Sequence, residues 1–245
     1  MIQKPLQAKN WRFTPEGDQC LIIRFDNTLA ETDINRLCLQ TAQSIANAKL
    51  PGIMDIVPAF NCVGIHYHAP AWETAPYQTL CQTLDALLGN KQDTTTAINS
   101  KHIEIPVCYD PELGIDLDFV AQYCQCTPEQ LIEWHTGTPV RVFMLGFAPG
   151  LPYMGMLHEK LDIPRLATPR SRVPAGSVAI ANRQTIIYPN SSPGGWHIIG
   201  RTPVALFNPS QPPYALLAPG DTVQFKAIST ETFQSMLQNN EYPST

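Results

Sequence analysis

The sequence contains no strongly basic stretch and no apolar run of the roughly 18 residues that a membrane-spanning helix needs. Its 245 residues carry a formal net charge of −5, which disfavours nucleic acid or an anionic membrane as a partner. The first residues lead into no apolar segment of the kind that secretory signal peptides contain. We therefore expect a cytoplasmic protein that binds neither nucleic acid nor membranes.

The motifs of the common nucleotide-binding and hydrolase sites are also missing. The chain has no Gly-x-x-x-x-Gly-Lys-Ser/Thr phosphate loop, no Gly-x-Gly-x-x-Gly after a strand and no Gly-x-Ser-x-Gly elbow. Its seven cysteines are irregularly spaced, and the close pair Cys124 and Cys126 has no second pair at zinc spacing. His66 and His68 lack an evident third ligand. The sequence predicts reduced cysteines and no metal site.

What the sequence does contain is enough apolar material for a buried core, at 44% of residues against 15% charged. Most of the 23 prolines lie after residue 138, which makes the second half richer in turns. This shift in composition indicates two domains. We place them at residues 1–92 and 93–245.

The first part alternates strand-like and helix-like patterns. Apolar residues at helical spacing predict two helices, each ended by a turn signal such as Pro51-Gly52 or Gly89-Asn90. Together the elements give the β-α-β-β-α-β order of a ferredoxin-like α+β domain. The predicted strands are 19–25, 53–57, 62–67 and 103–108, and the predicted helices are 33–48 and 77–88.

The second part begins with two short helices, at 116–123 and from the capping box of Thr127 and Gln130 to about residue 135. Short β-prone runs between Pro/Gly turns then favour a closed barrel or a sandwich. A last helix is predicted to start at Ser229 as N-cap. The predicted strands are 141–145, 176–181, 185–188, 197–199, 205–207 and 221–226.

Three loops of this second part combine residues suited to binding an anion. Residues 146–153 hold glycines and prolines that can present backbone N–H groups, although an ordinary barrel corner has the same composition. Arg170 and Arg172, two residues apart, project to the same side of an extended chain. They could form an anion site or be two solvated surface side chains. Trp196 and Arg201 add a stacking surface and a cation, or else a core tryptophan and a strand-edge arginine.

Taken in order, these loops and the segments around them are similar to one known family. The family contains the B subunit of 5-oxoprolinase, the kinase inhibitor KipI and proteins like allophanate hydrolase subunit 1. The resemblance covers nearly the whole chain, although residues 181–186 depart from the family at a hairpin where two glycines are replaced. It is carried by residues 51–58, 105–109, 146–153, 169–180, 184–189, 192–203 and 216–225.

The resemblance implies an N-terminal α+β domain followed by a C-terminal cyclophilin-like β-barrel. It also implies an enzyme component that is inactive alone and that opens 5-oxo-L-proline to L-glutamate with ATP, and with Mg²⁺, together with an A and a C subunit. The C subunit would carry a related barrel. Phosphorylating the oxygen of the lactam would create a leaving group, and arginines would stabilise the charge that develops.

The resemblance transfers roles by position and leaves the nucleophile and the general base unassigned. The catalytic candidates are Arg170, Arg172 and Arg201. The candidates for binding substrate or nucleotide are Gly146, Phe147, Pro149, Gly150, Pro174, Gly176, Ser177, Gly194, Gly195, Trp196 and Thr202.

Two other functions share these motifs. A KipI-like inhibitor of a sensor histidine kinase would use the barrel loops as a protein-docking face, and an exposed apolar surface around Trp196 and Phe147 would favour it. An accessory component of an allophanate hydrolase or urea carboxylase would share both fold and loops. The arginines favour the oxoprolinase component over the kinase inhibitor, because inhibition of a kinase gives them no role.

Overall fold

The computed structural model describes residues 10–26, 29–72, 75–89 and 100–239. The chain forms two compact units, residues 1–99 and 100–245, and each has a hydrophobic core of its own. The predicted domain boundary between residues 92 and 93 falls outside the described residues and stays a prediction.

The first unit is an antiparallel sheet whose core is shared with two helices. The helix predictions are confirmed, because Ile34, Cys38, Leu80 and Leu84 are buried along the predicted apolar faces. The sheet order is β1-β2-β4-β3. The elements are β1 Trp11–Pro15, β2 Cys20–Phe25, α1 Glu31–Ala48, β3 Ile53–Pro58, β4 Cys62–Tyr67, a 3₁₀ turn Ala69–Ala71 and α2 Pro76–Gly89.

The second unit is a closed β-barrel with helices around it. Its elements are β5 His102–Cys108, α3 Leu117–Tyr123, α4 Pro128–Thr136, β6 Val140–Leu145, β7 Pro152–Gly155, β8 Arg170–Val173, β9 Ser177–Ala181, β10 Gln184–Ile187, β11 Ser192–Gly194, β12 His197–Arg201, β13 Thr222–Ile228 and α5 Thr230–Asn239. The barrel closes in the order β10-β7-β6-β13-β5-β12-β9, and β8 pairs with β11 as a separate ribbon. The predicted fold class, α+β with a C-terminal barrel, is confirmed.

The predicted element order of the first unit is wrong in one strand. Residues 103–108 belong to β5, which runs parallel to β13 inside the barrel and buries Ile103, Ile105 and Val107 in the barrel core. The free edge beside β2 is instead taken by β1, which pairs antiparallel with it. Sequence analysis missed β1 because its apolar residues, Trp11 and Phe13, are only two and are partly exposed.

In the second unit the predicted helix caps are confirmed, whereas some of the predicted strands are not. Both caps are confirmed, since Gln130 N donates to Thr127 Oγ1 at 3.2 Å and Thr232 N donates to Ser229 Oγ at 3.2 Å. The predicted strand 205–207 is wrong, because only an isolated bridge from Phe207 to Ala215 forms there. Strands β7, β8 and β11 were not predicted, because each is only three or four residues long and contains glycine, proline or arginine.

A polar network that sequence analysis did not predict is buried in the barrel core. The ring of His135 hydrogen-bonds Tyr109 Oη through Nδ1 at 2.7 Å and Thr185 Oγ1 through Nε2 at 3.1 Å, and it stacks on Phe225. Burial lowers the pKa of His135 to about 3, so the imidazole is neutral in the folded protein. The network fixes the orientation of α4 against the barrel strands.

None of the helices within the described ranges is both long enough and apolar enough to cross a membrane.

Candidate anion site at the loop rim

The glycine-rich loops meet at one end of the barrel. Strands β6, β10 and β12 end there while β7 and β9 begin there, because these neighbours are antiparallel. We call residues 146–151, 174–177 and 201–207 the loop rim. Register partners at this end are Leu145 with Pro152, Ile187 with Val178, and Arg201 with Ser177.

The first rim loop connects β6 to β7 and holds Phe147 in a strained conformation. Ala148 N donates to Gly146 O at 2.8 Å across Phe147, whose φ is 68°, so these three residues form a γ-turn. A left-handed backbone costs a residue with a side chain about 1–2 kcal/mol. The ring nevertheless points outward and is 68% exposed. An exposed aromatic side chain on a strained turn is available for contact with a ligand or a partner.

The rest of this loop is tightly braced. Gly146 N donates to Leu151 O at 3.1 Å, and Leu151 N donates to Ala148 O at 3.0 Å. Gly150 has a φ of 77°, and a Cβ added to it would lie 2.8 Å from Cβ of Phe207. Glycine is therefore required at position 150 both for its conformation and for the close approach of the next rim segment.

The second rim loop is connected to the third by hydrogen bonds. Gly176 N donates to Tyr188 O at 2.7 Å, and Thr202 N donates to Gly176 O at 2.9 Å. The side chain of Arg201 joins the same turn, because its Nε donates to Ala175 O at 2.8 Å. Ser177 and Thr202 are buried, and Thr202 Oγ1 accepts a hydrogen bond from the backbone within the rim.

Arg172 and Arg201 are each held by a hydrogen bond from Nε, and no other described residue accepts a hydrogen bond from the terminal nitrogens of either guanidinium group. Arg172 Nε donates to Ser191 Oγ at 3.2 Å. Within the described residues, neither arginine has a carboxylate within salt-bridge distance. Arg172 is three residues before Ala175, the residue that anchors Arg201. Two uncompensated guanidinium groups near a glycine turn suit a phosphate or a carboxylate.

Arg170 lies further along the β8–β11 ribbon and already has a carboxylate partner. Its Nη2 donates to Asp116 Oδ1 at 2.6 Å and its Nη1 to Trp196 O at 3.4 Å. Asp116 Oδ2 also accepts a hydrogen bond from Ile198 N at 2.7 Å. An irregularity in the pairing of β8 with β11 breaks the alternation between residues 170 and 173. Arg170 and Arg172 therefore have separate partners, Asp116 and Ser191.

Trp196 is a core residue, which is the alternative that its sequence context favoured. Trp196 is 5% exposed. The centroid of its ring lies 6.0 Å from that of the Tyr153 ring and 5.1 Å from the guanidinium carbon of Arg165. Gly194 lies directly against the ring of Tyr188, and Gly195 packs beside Pro169. These glycines let the ribbon cover the outer face of the barrel.

The hairpin that departs from the family keeps a regular turn. Asn182 and Arg183, between β9 and β10, have φ values of 49° and 59°, as a two-residue type I′ turn requires. Neighbouring backbone holds it in place: Asn182 N donates to Ile163 O at 2.7 Å, and Leu157 N to Arg183 O at 2.8 Å. Loss of both glycines thus leaves the hairpin intact.

The structure therefore separates the predicted site residues into two groups. The residues that it brings together at the rim are Gly146, Phe147, Pro149, Gly150, Pro174, Gly176, Ser177, Arg201 and Thr202, and Arg172 lies on the ribbon two residues before Pro174. Those along the ribbon are Arg170, Gly194, Gly195 and Trp196. Sequence reasoning missed the partners Asp116 and Ser191, since no spacing signal relates them to the arginines that they bind.

The loop rim offers positive charge and backbone donors but no general base. Its segments contain no Asp, Glu, His, Cys or Lys. Among the residues that the structure describes, no group of three or more His, Cys, Asp or Glu could hold a metal ion. The rim can bind and polarise an anionic or phosphorylated group, but it cannot itself remove a proton.

Residues 11–217 match a family described as carboxyltransferase domain, subdomain C and D. A Bacillus subtilis protein, named as the B subunit of 5-oxoprolinase, is 38% identical over 226 residues, which is 89% of this chain and 93% of that protein. In the crystal structure of TTHA0988, a protein 34% identical in sequence is matched with a TM-score of 0.73. The match covers 86% of this chain but only 40% of TTHA0988.

Urea carboxylase of Kluyveromyces lactis, at 17% identity, shares the fold alone, with a TM-score of 0.77 over 97% of this chain and 24% of that one. The match to the domain family spans most of the chain, and the match to the Bacillus subtilis protein spans nearly all of both proteins. The chain therefore belongs to the carboxyltransferase subdomain C and D family, among the proteins similar to the B subunit of 5-oxoprolinase.

Proposed function

We propose that this chain is the B subunit of an ATP-dependent 5-oxoprolinase, which opens 5-oxo-L-proline to L-glutamate in the cytoplasm together with an A and a C subunit. The observation that carries the proposal is the chemistry of the loop rim. Among the described residues Arg172 and Arg201 have no carboxylate within salt-bridge distance, and the rim segments contain no Asp, Glu, His, Cys or Lys to accept a proton. Such an incomplete site fits a protein whose catalysis depends on groups from another chain.

The reaction has steps for which this rim is suited. A lactam is a poor electrophile, and transfer of the γ-phosphoryl group of ATP to its carbonyl oxygen releases ADP and activates the ring carbon. Water then adds to that carbon, the C–N bond breaks with nitrogen leaving as the amine, and a second water displaces phosphate to give glutamate. Arg172 and Arg201 bind the phosphate or carboxylate oxygens on which negative charge accumulates.

In this proposal the remaining predicted residues shape the site. The turn at Gly176 and the loop ending at Gly150 position the arginines and backbone donors. Arg170 acts indirectly, because its pairing with Asp116 fixes the ribbon that carries Arg172. Mg²⁺ arrives with ATP, whose phosphates usually supply much of its coordination.

The test is reconstitution from purified components. The chain is mixed with the A and C subunits of the same source, and ATP-dependent release of glutamate from 5-oxoproline is measured. We expect activity from the complete mixture only, with each pair and each single component inactive. Absence of glutamate from the complete mixture, beside an active control set of components from another organism, would reject the proposal.

Inhibition of a sensor histidine kinase is the second candidate, and one observation bears on it. The apolar surface that this function called for was centred on Phe147 and Trp196, and only Phe147 is exposed. If the chain inhibits such a kinase, the isolated chain at equimolar concentration should lower the rate of kinase autophosphorylation. A chain that leaves the autophosphorylation rate unchanged removes this candidate.

A further inference from the structure

Two exposed aromatic side chains lie on adjoining segments at the rim end of the barrel. Phe147 is 68% exposed and Tyr214 is 54% exposed. Phe207 links them, because it contacts the Gly150 turn and pairs with Ala215, the neighbour of Tyr214. We call Phe147 and Tyr214 the aromatic rim.

The backbone at both aromatic residues is held by hydrogen bonds. The turn of Phe147 is fixed by the hydrogen bond from Ala148 N to Gly146 O and by the packing of Gly150. The loop of Tyr214 is closed by the hydrogen bond from Asn208 N to Tyr214 O at 2.7 Å. Because these backbones are already ordered, contact with a partner costs little further conformational entropy.

The exposure of Phe147 favours a protein over a small ligand. Small-molecule sites are concave and bury most of the ligand. The Phe147 ring instead stands at the apex of a turn and offers most of its surface to solvent. Protruding, pre-ordered aromatic side chains are typical of the anchors that fill apolar pockets in protein interfaces.

The charge beside the aromatic rim decides between a second copy of this chain and a different protein. A two-fold contact through this surface would bring together two copies of the loop rim, whose segments contain Arg201 and no Asp or Glu, so neither copy would supply a carboxylate to the other. Like charges facing one another disfavour that dimer. The complementary surface is an apolar pocket bordered by carboxylates.

We propose that the aromatic rim, Phe147 and Tyr214, is the anchor by which this chain docks onto a different protein chain that presents an apolar pocket bordered by carboxylates. The inference rests on the proposed function, which requires companion proteins. The same contact would bring acidic groups of the partner next to Arg172 and Arg201 and supply the proton acceptors that the rim lacks.

The experiment measures the Kd of the full chain for the A and C subunits by biolayer interferometry, without ATP or 5-oxoproline. Phe147→Ala and Tyr214→Ala are each expected to raise the Kd for one companion at least tenfold. Phe147→Gly is a second variant, since glycine accepts the φ of 68° and the fold is retained. Met54→Ala, 68% exposed, and Tyr123→Ala, 52% exposed, are matched controls expected to stay within twofold of wild type.

The outcomes separate this inference from the proposed function. Wild-type affinity in all three rim variants, beside a wild-type chain that binds its companion, overturns the docking role alone. Unchanged affinity with lost glutamate release also overturns it and assigns the ring to the substrate. A wild-type chain that binds neither companion overturns both proposals.

Discussion

Replacing Arg170 with methionine tests whether this predicted catalytic arginine in fact has a positioning role. The change removes a guanidinium whose side chain is 28% exposed and leaves Asp116, 11% exposed, without its cation. Breaking a buried pair from one side costs about 3–5 kcal/mol, and the partial exposure of Arg170 reduces this to about 2.5 kcal/mol. At a urea slope of about 2 kcal/mol per M, the unfolding midpoint should fall by about 1.2 M.

The assay is urea unfolding of wild type, Arg170→Met, Asp116→Asn and the double variant. In the double variant no carboxylate is left unpaired, so we expect it to recover at least about 1 kcal/mol relative to the sum of the single losses. In the reconstituted enzyme at low temperature, folded Arg170→Met should keep its KM values. A midpoint within about 0.3 M of wild type would refute the reasoning and leave Arg170 available for a ligand.

Two further perturbations address the core and the rim. The wild-type chain should lose stability as pH falls from about 6.5 towards 3, since only unfolded His135 then takes up a proton, with a slope of at most about 1.4 kcal/mol per pH unit. In urea unfolding at pH 7, 6 and 5, the free energy of unfolding should fall less steeply with pH in His135→Gln than in wild type. Equal falls in the two proteins would contradict a neutral imidazole at position 135. Gly150→Ala should cost more than about 2 kcal/mol, whereas Gly17→Ala, at φ 65° with open space around it, should cost only about 1 kcal/mol; equal costs would show that contact with Phe207 is unimportant.

The elements predicted well from sequence are those whose signal is local. The helical stripe of Ile34 and Cys38 and the capping box at Thr127 depend on residues a few positions apart. Strand pairing does not. Residues 103–108 were recognised as a strand, but their place beside β13 depends on a partner more than a hundred residues away. Nothing in the local pattern distinguishes an edge of the first sheet from the middle of the barrel.

The candidate site shows the same limit at the level of side chains. The glycine and proline loops predicted a rigid rim, and they meet at one end of the barrel as strand direction requires. The separation of Arg170 from Arg172 was not predictable, because it depends on Asp116, 54 residues away, and on an irregular strand pairing. Likewise, burial of Trp196 depends on Arg165 and Tyr153, which approach from other segments.

The central claim is that Arg172 and Arg201 bind the anionic group in a 5-oxoprolinase assembled from several different chains. The most direct measurement is kcat/KM for glutamate release by reconstituted enzyme carrying Arg172→Met with Arg201→Met, compared with Lys226→Met as an exposed cation control. We expect a loss of at least about a hundredfold in the double arginine variant at companion concentrations that saturate binding, with the urea midpoint near wild type. The control should keep full activity. Full activity in the double variant would contradict the account and make Arg172 and Arg201 structural.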